Sequence, residues 1–125
     1  MSNPNIVQVT SILGKADALI PANATSNVLL ANNTGSNTVL KINQIVAANV
    51  DGSSAVATTV AINSTAAGGG TSFPIVSTVN VPADATLIVV DKTTAIYLEE
   101  NKSITVQSGT ASKIAYTISY EIIAS

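Results

Sequence analysis

The feature that most constrains this chain is an alternation near its end. Ile114, Tyr116, Ile118, Tyr120 and Ile122 fall on every second position, with Lys113, Ala115, Thr117, Ser119 and Glu121 between them. A period of two sends the first set to one face of a strand and the second set to the other. One face is apolar and aromatic, so it needs a second layer to cover it. Residues 103–107 repeat the alternation briefly, with Ile104 and Val106 inward. The segment between, 108–112, is small and polar with one glycine, and reads as the loop of a closing β-hairpin.

The rest of the chain reads in the same grammar. Residues 26–32 form a strand with Val28 and Leu30 on one face. Residues 38–50 form a long strand in which Leu40 and Ile42 are out of phase with Ile45 and Ala47, so a bulge is expected near Gln44. Asp51-Gly52 is a hairpin turn signal, because both residues tolerate positive φ. The strand at 55–62 puts Val56, Val60 and Ile62 in phase. The glycine run Gly68, Gly69, Gly70 lies in a loop expected to be exposed and mobile. Pro74 places the strand at 73–81 on an edge. Residues 86–91 are nearly all apolar, as in a strand buried on both faces. About eight strands, with turn signals every eight to twelve residues, predict an all-β fold. Its expected form is an antiparallel β-sandwich of jelly-roll-like type.

Residues 1–25 form an N-terminal arm or edge strand, and 26–125 the sandwich domain. Ile6, Val7 and Val9 suit a short strand, and Gly14 to Asp17 read as a turn. The arm either completes the domain's own sheet or adds a strand to a neighbouring subunit. Ile6, Val7, Val9, Gly68, Gly69 and Gly70 are the candidate protein–protein contacts.

Composition narrows the function. Charged residues are only 10% of the 125, against about a quarter in ordinary proteins. The polar surface therefore has to come from Ser, Thr and Asn, which solvate without strong repulsion between copies. The five basic residues are all lysine and the net charge is −2, so direct nucleic-acid binding is not expected. The chain contains no cysteine and no histidine, which removes thiolate chemistry, disulfides, the commonest general base and the commonest transition-metal ligand. No signal-peptide pattern or membrane-spanning run is read, so folding in a cytosol and no membrane partner are expected. Asp84, Asp91, Glu99 and Glu100 are the carboxylates worth weighing for acid–base work or Ca²⁺ binding. Adjacent Glu99 and Glu100 point to opposite faces of a strand, and Asp91 suits a turn. Tyr116 and Tyr120 read as core residues with their hydroxyls at the sandwich rim. No catalytic residue, metal site or cofactor is assigned, and the chain is not expected to be an enzyme.

Several blocks carry a resemblance. They are Val81-Pro82-Ala83, Leu87 to Lys92, Ile96-Tyr97-Leu98-Glu99-Glu100, Ser103-Ile104-Thr105-Val106 and Ile118-Ser119-Tyr120-Glu121, with Lys41 to Asn49 upstream. Over most of 38–123 the chain resembles small β-sandwich virion structural proteins of tailed bacteriophages, of the marine and cyanobacterial phage type. That resemblance implies a structural component of the particle, assembled in the host cytoplasm and located in the virion. It favours a head decoration or cement protein that bridges capsomers, with the major capsid protein as partner and homo-oligomers in keeping with the prevalence of closed symmetry. A neck- or tail-associated structural protein is the alternative. A carbohydrate-binding, receptor-directed module, with Tyr97 as a lone platform, is the alternative from another class.

Overall fold

The fold was obtained as a computed structural model, which describes residues 9–124. Among the described residues nine strands run in order: β1 Ser11–Leu19, β2 Asn27–Asn32, β3 Thr38–Asn49, β4 Val56–Asn63, β5 Ser72–Val81, β6 Thr86–Val90, β7 Ile96–Leu98, β8 Lys102–Ser108 and β9 Ile114–Ala124. A 3-10 turn at Lys92–Thr94 separates β6 from β7. The strands form two antiparallel sheets. One has five strands in the order β1-β9-β3-β6, with β7 also on β3, and the other has four in the order β2-β8-β4-β5.

The pairing is nested. β1 pairs β9, β2 pairs β8, β3 pairs β6 and β7, and β4 pairs β5. The chain therefore folds back on itself about residues 64–71, and the doubled ribbon rolls up until β3 meets β9 and β4 meets β8. That is the sandwich of jelly-roll type expected from the strand spacing.

The alternation in β9 sets the core. Ile114, Tyr116 and Ile118 are fully buried, and Ile42, Ile45, Leu98, Val60, Ile104 and Val106 meet them from both sheets. Each such side chain contributes roughly 1.5–3 kcal/mol by leaving water. The bulge expected near Gln44 is present: the β3–β9 register slips between Ile42 and Gln44, which returns Ile45 to the core face. Tyr116 stands as a strut between the sheets. Its hydroxyl donates to the Gln107 carbonyl at 3.0 Å and is hydrogen-bonded to Thr58 Oγ1. Thr58 and the Tyr116 side chain are buried, and burial pushes the Tyr116 pKa up.

Three strands end on a buried asparagine. Asn32 Nδ2 donates to the carbonyls of Thr38 and Leu98, and its Oδ1 accepts from the Ser36 and Thr38 hydroxyls. Asn49 Nδ2 donates to Ser54 and Val81, and its Oδ1 accepts from the Asp51 amide. Asn63 Nδ2 donates to Gly68, and its Oδ1 accepts from Thr105 Oγ1 at 2.6 Å. Each amide satisfies backbone groups that the ending ladder leaves free, and so fixes the loop that follows.

Several expectations are overturned. Asp51-Gly52 is not a hairpin turn, because β3 and β4 lie in different sheets. The segment 108–112 likewise carries the chain from β8 in one sheet to β9 in the other. The β4–β5 pair is the hairpin that flanks the glycine run. Gly14 to Asp17 lie within β1 rather than in a turn. Val28 and Leu30 do not share a face: the β2–β8 register slips between them, leaving Val28 40% exposed and Leu30 buried. Strand β6 is not buried on both faces, since it lies at a sheet edge with Ile88 58% exposed.

Candidate interaction surface

The candidate contacts fall in different places. Ile6 and Val7 lie outside the described residues. Val9 is half-buried just before β1. Gly68, Gly69 and Gly70 lie in the β4–β5 loop on the opposite sheet, so the described structure does not bring the two groups into one site.

The glycine loop is anchored. Its segment folds back over the outer face of the four-stranded sheet. Ser103 Oγ donates to the Thr65 carbonyl, the Ala66 amide to Asn101 Oδ1, and the Thr71 amide to Ser64 Oγ. Gly68 has a φ of +83°, and a Cβ there would meet Val28 Cγ2 at 2.8 Å. Only a residue without a side chain lets the loop lie this close to β2. Gly68 is thus fitted against the sheet, while Gly69 and Gly70 are exposed as expected. Asn63, Asn101 and Ser103 tether the loop at its flanks.

Beside this loop the outer sheet face carries a shallow depression of about 300 Å³, bordered by Ser26, Thr59, Asn63, Thr105 and Gln107. A second, of about 210 Å³, lies between Ala57, Thr59, Thr78 and Gln107. No charged or aromatic side chain lines either hollow.

The carboxylates serve turns. Asp91 Oδ1 accepts from the Thr93 hydroxyl and amide and caps the 3-10 turn; these bonds, the hydroxyl's first, hold the carboxyl below its ordinary pKa. Glu100 Oε2 accepts from the Gly35 amide at 2.9 Å. Asp84 sits in the β5–β6 turn with a φ of 57°, its amide bonded to the Asp51 carbonyl. Among the described residues no three His, Cys, Asp or Glu side chains group as a metal site. Among them, too, no helix is long and apolar enough to cross a membrane.

The five-stranded sheet presents a different surface. Its outer face carries a row running Ile88, Val46, Thr117, Ala18 across four strands, and a second running Tyr97, Lys41, Glu121, Gly14. Strand β1 forms its edge, and every residue from Ser11 to Ala18 is exposed. The inward face of β1 holds Lys15 and Asp17, opposite Tyr120 and Ile118. Tyr120 donates its hydroxyl to Asp17 Oδ2 at 2.9 Å; burial first, then the Asp17 hydrogen bond and charge, push the phenol up to about 12. The sequence carried no signal for this contact across 103 residues.

The fold has solved counterparts. The structure described as "Bacillus endospore appendages form a novel family of disulfide-linked pili" superposes with a TM-score of 0.53 at 16% identity, covering 100% of this chain and 98% of that one. At that identity the likeness shows the fold alone. A chain of the infectious bursal disease virus Gx strain gives a TM-score of 0.44 at 8% identity over 89% of this chain and 33% of that one. The Gt strain gives 0.42 at 7%, over 93% and 31%. Superpositions at that level add nothing to the assignment. No protein-family model matches the sequence, and no curated protein sequence does either.

Proposed function

We propose that this chain is a non-enzymatic structural protein of a tailed-phage particle, a head decoration or cement protein that bridges capsomers and contacts the major capsid protein. The observation that carries this reading is the division of labour among its side chains. Asp91, Glu100, Tyr116 and the three strand-end asparagines hold loops, turns and sheets together. What remains outside is two broad sheet faces in which Ser, Thr, Ala and Val are interspersed with a few larger or charged residues, among them Ile88, Tyr97, Lys41 and Glu121. Such faces suit wet, weakly charged contacts with many neighbours. A protein that binds the assembled shell more tightly than the loose one stabilises it by mass action. The phage resemblance points the same way. A protein of this fold serves in the disulfide-linked pili of Bacillus endospore appendages. This chain has no cysteine, so its own contacts are non-covalent in that sense.

Cryo-electron microscopy of the particle from which the chain comes tests the proposal. Density of this size in regular array on the head is the expected result. Density confined to the neck or tail keeps the particle role and overturns the cement role. Absence from the particle, together with saturable binding on a glycan array, overturns both in favour of carbohydrate recognition.

A further inference from the structure

Residues 12–20 read Ile-Leu-Gly-Lys-Ala-Asp-Ala-Leu-Ile. Turned end for end about Ala16, the segment matches itself in size and opposes itself in charge. Ile12 falls on Ile20, Leu13 on Leu19, Gly14 on Ala18, and Lys15 on Asp17. This segment is β1 with the residue that follows it, at an edge of the five-stranded sheet that no other described strand pairs.

We propose that β1 pairs antiparallel with β1 of a second copy of this chain, across a two-fold axis through Ala16, so that two five-stranded sheets become one continuous sheet.

Three observations carry this. The first is the state of the edges. β1 follows β9 for nine residue pairs with no slip in register. The opposite edge of its own sheet is broken by the 3-10 turn between β6 and β7. In the other sheet β2 is bulged, and β5 contains Pro74 and slips twice. Native sheets protect their edges by such devices and by inward-pointing charges. β1 has neither bulge nor proline, and its inward charges, Lys15 and Asp17, are opposite in sign, so a second copy of the same strand neutralises them. The second is charge. In the proposed register Lys15 of each copy stands directly opposite Asp17 of the other, twice per dimer, where opposite charges stabilise and like charges oppose pairing. Tyr120 already holds Asp17 by its Oδ2. The third is exposed apolar area at both ends of the segment. Ile12, Leu13 and Ile20 are 54%, 58% and 51% exposed. In the dimer Ile12 faces Ile20 on the outer face, and Leu13 faces Leu19 on the inner one. The parity is consistent: Ala16 meets its own counterpart, so inner residues stay inner and outer residues stay outer. An interface of this kind is isologous and closes after two copies. The pairing does not depend on the particle reading above.

Sedimentation velocity or native mass spectrometry on the full chain tests it. The wild-type chain is expected to dimerise reversibly. Lys15→Asp, which keeps the Tyr120–Asp17 bond, places Asp opposite Asp twice and is expected to weaken the dimer roughly thirtyfold. Asp17→Lys does the same with lysines. The double variant Lys15→Asp/Asp17→Lys restores the pairing but loses the Tyr120–Asp17 bond. It is therefore compared with Tyr120→Phe, which lacks the same bond, and is expected to recover the dimer to within about threefold of that variant. Because the chain has no cysteine, Ala16→Cys gives an independent reading that needs no charge change. It is expected to cross-link to a covalent dimer on mild oxidation, while Ser53→Cys, in an exposed loop, does not. A wild-type chain that stays monomeric up to sub-millimolar concentration overturns the proposal. So does a dimer that ignores charge reversal, a double variant that fails to recover, or an Ala16→Cys chain that stays monomeric.

Discussion

Strands β1 and β5 each close one sheet, and they meet solvent in opposite ways. β5 contains Pro74, slips twice against β4, and turns Thr78 to a φ of 52°, with its amide donating to Thr59 Oγ1 at 2.9 Å. A strand so interrupted offers no continuous ladder to a newcomer. β1 has no proline, no slip, and Gly14, Ala16 and Ala18 on its outer face. One edge ends the sheet and the other leaves it open. A molecule with two open, complementary edges would propagate into a fibre, whereas one open, self-complementary edge closes as a pair.

The largest effect tests the support both edges share. Ile118 lies on β9, fully buried, with Asp17 of β1 on one side and Ile45 of β3 on the other. Ile118→Asp puts an unpaired charge in the core and is expected to cost more than about 4 kcal/mol, enough to unfold a domain of ordinary stability. Circular dichroism and a denaturant titration check it. A soluble, cooperatively folding I118D chain would show that the inward face of β9 is wrongly assigned.

The next tests the β5 side. Gly68→Ala places a Cβ 2.8 Å from Val28 Cγ2 at a positive φ, and is expected to cost about 2 kcal/mol. The loss should appear in the denaturation midpoint with little change in the monomer–dimer balance, because β1 is on the other sheet. An unchanged midpoint would return the loop to the mobile state that its glycines alone suggest.

The individual strands were legible because they are local. The period of two in β9, the phase slip near Gln44 and the proline in β5 each have a direct counterpart in the fold. Pairing was not legible, for a physical reason. Asp51-Gly52 and the segment 108–112 carry turn chemistry, and turn chemistry reports that the chain reverses, not which sheet receives it. In this sandwich both reversals cross between sheets. β1 was hidden for another reason: Gly14, Lys15 and Asp17 have low strand propensity, and nine register pairs with β9 override it. The anchored glycine loop did leave a trace, since Asn32, Asn49 and Asn63 each close an apolar run, as Leu-Ala-Asn, Ala-Ala-Asn and Ala-Ile-Asn. A polar amide at that position is a strand terminus with a loop to hold.

Alkaline pH separates β1 from the rest of its sheet more gently. The Tyr120 phenol is raised from its ordinary value near 10 to about 12 in the fold. A group whose folded pKa is raised contributes stability that is complete below the unfolded pKa and is lost as pH rises through the folded one. Stability is therefore expected to fall between about pH 10 and 12. Tyr120→Phe should flatten that fall, leaving a residual slope from Tyr116, whose hydroxyl is also raised by burial. Thermal melts across this window check it, and equal slopes in the two proteins would remove Tyr120 and Asp17 from the account of how β1 is held.

The smallest effect sharpens the contrast between the edges. Thr78 is β-branched, yet it sits in the left-handed region at a φ of 52°. Asparagine tolerates that region better, because its short planar side chain crowds the backbone less. Thr78→Asn is therefore expected to stabilise the fold by about 0.5–1 kcal/mol and to raise the melting temperature by a few degrees. Self-association should not change, since the kink and the amide bond to Thr59 remain. Self-association through β5 in this variant would mean that the threonine itself guards the edge. An unchanged melting temperature would mean that the Thr59 bond already offsets the strain, and the irregularity of β5 would then be held by its neighbour on β4 rather than endured.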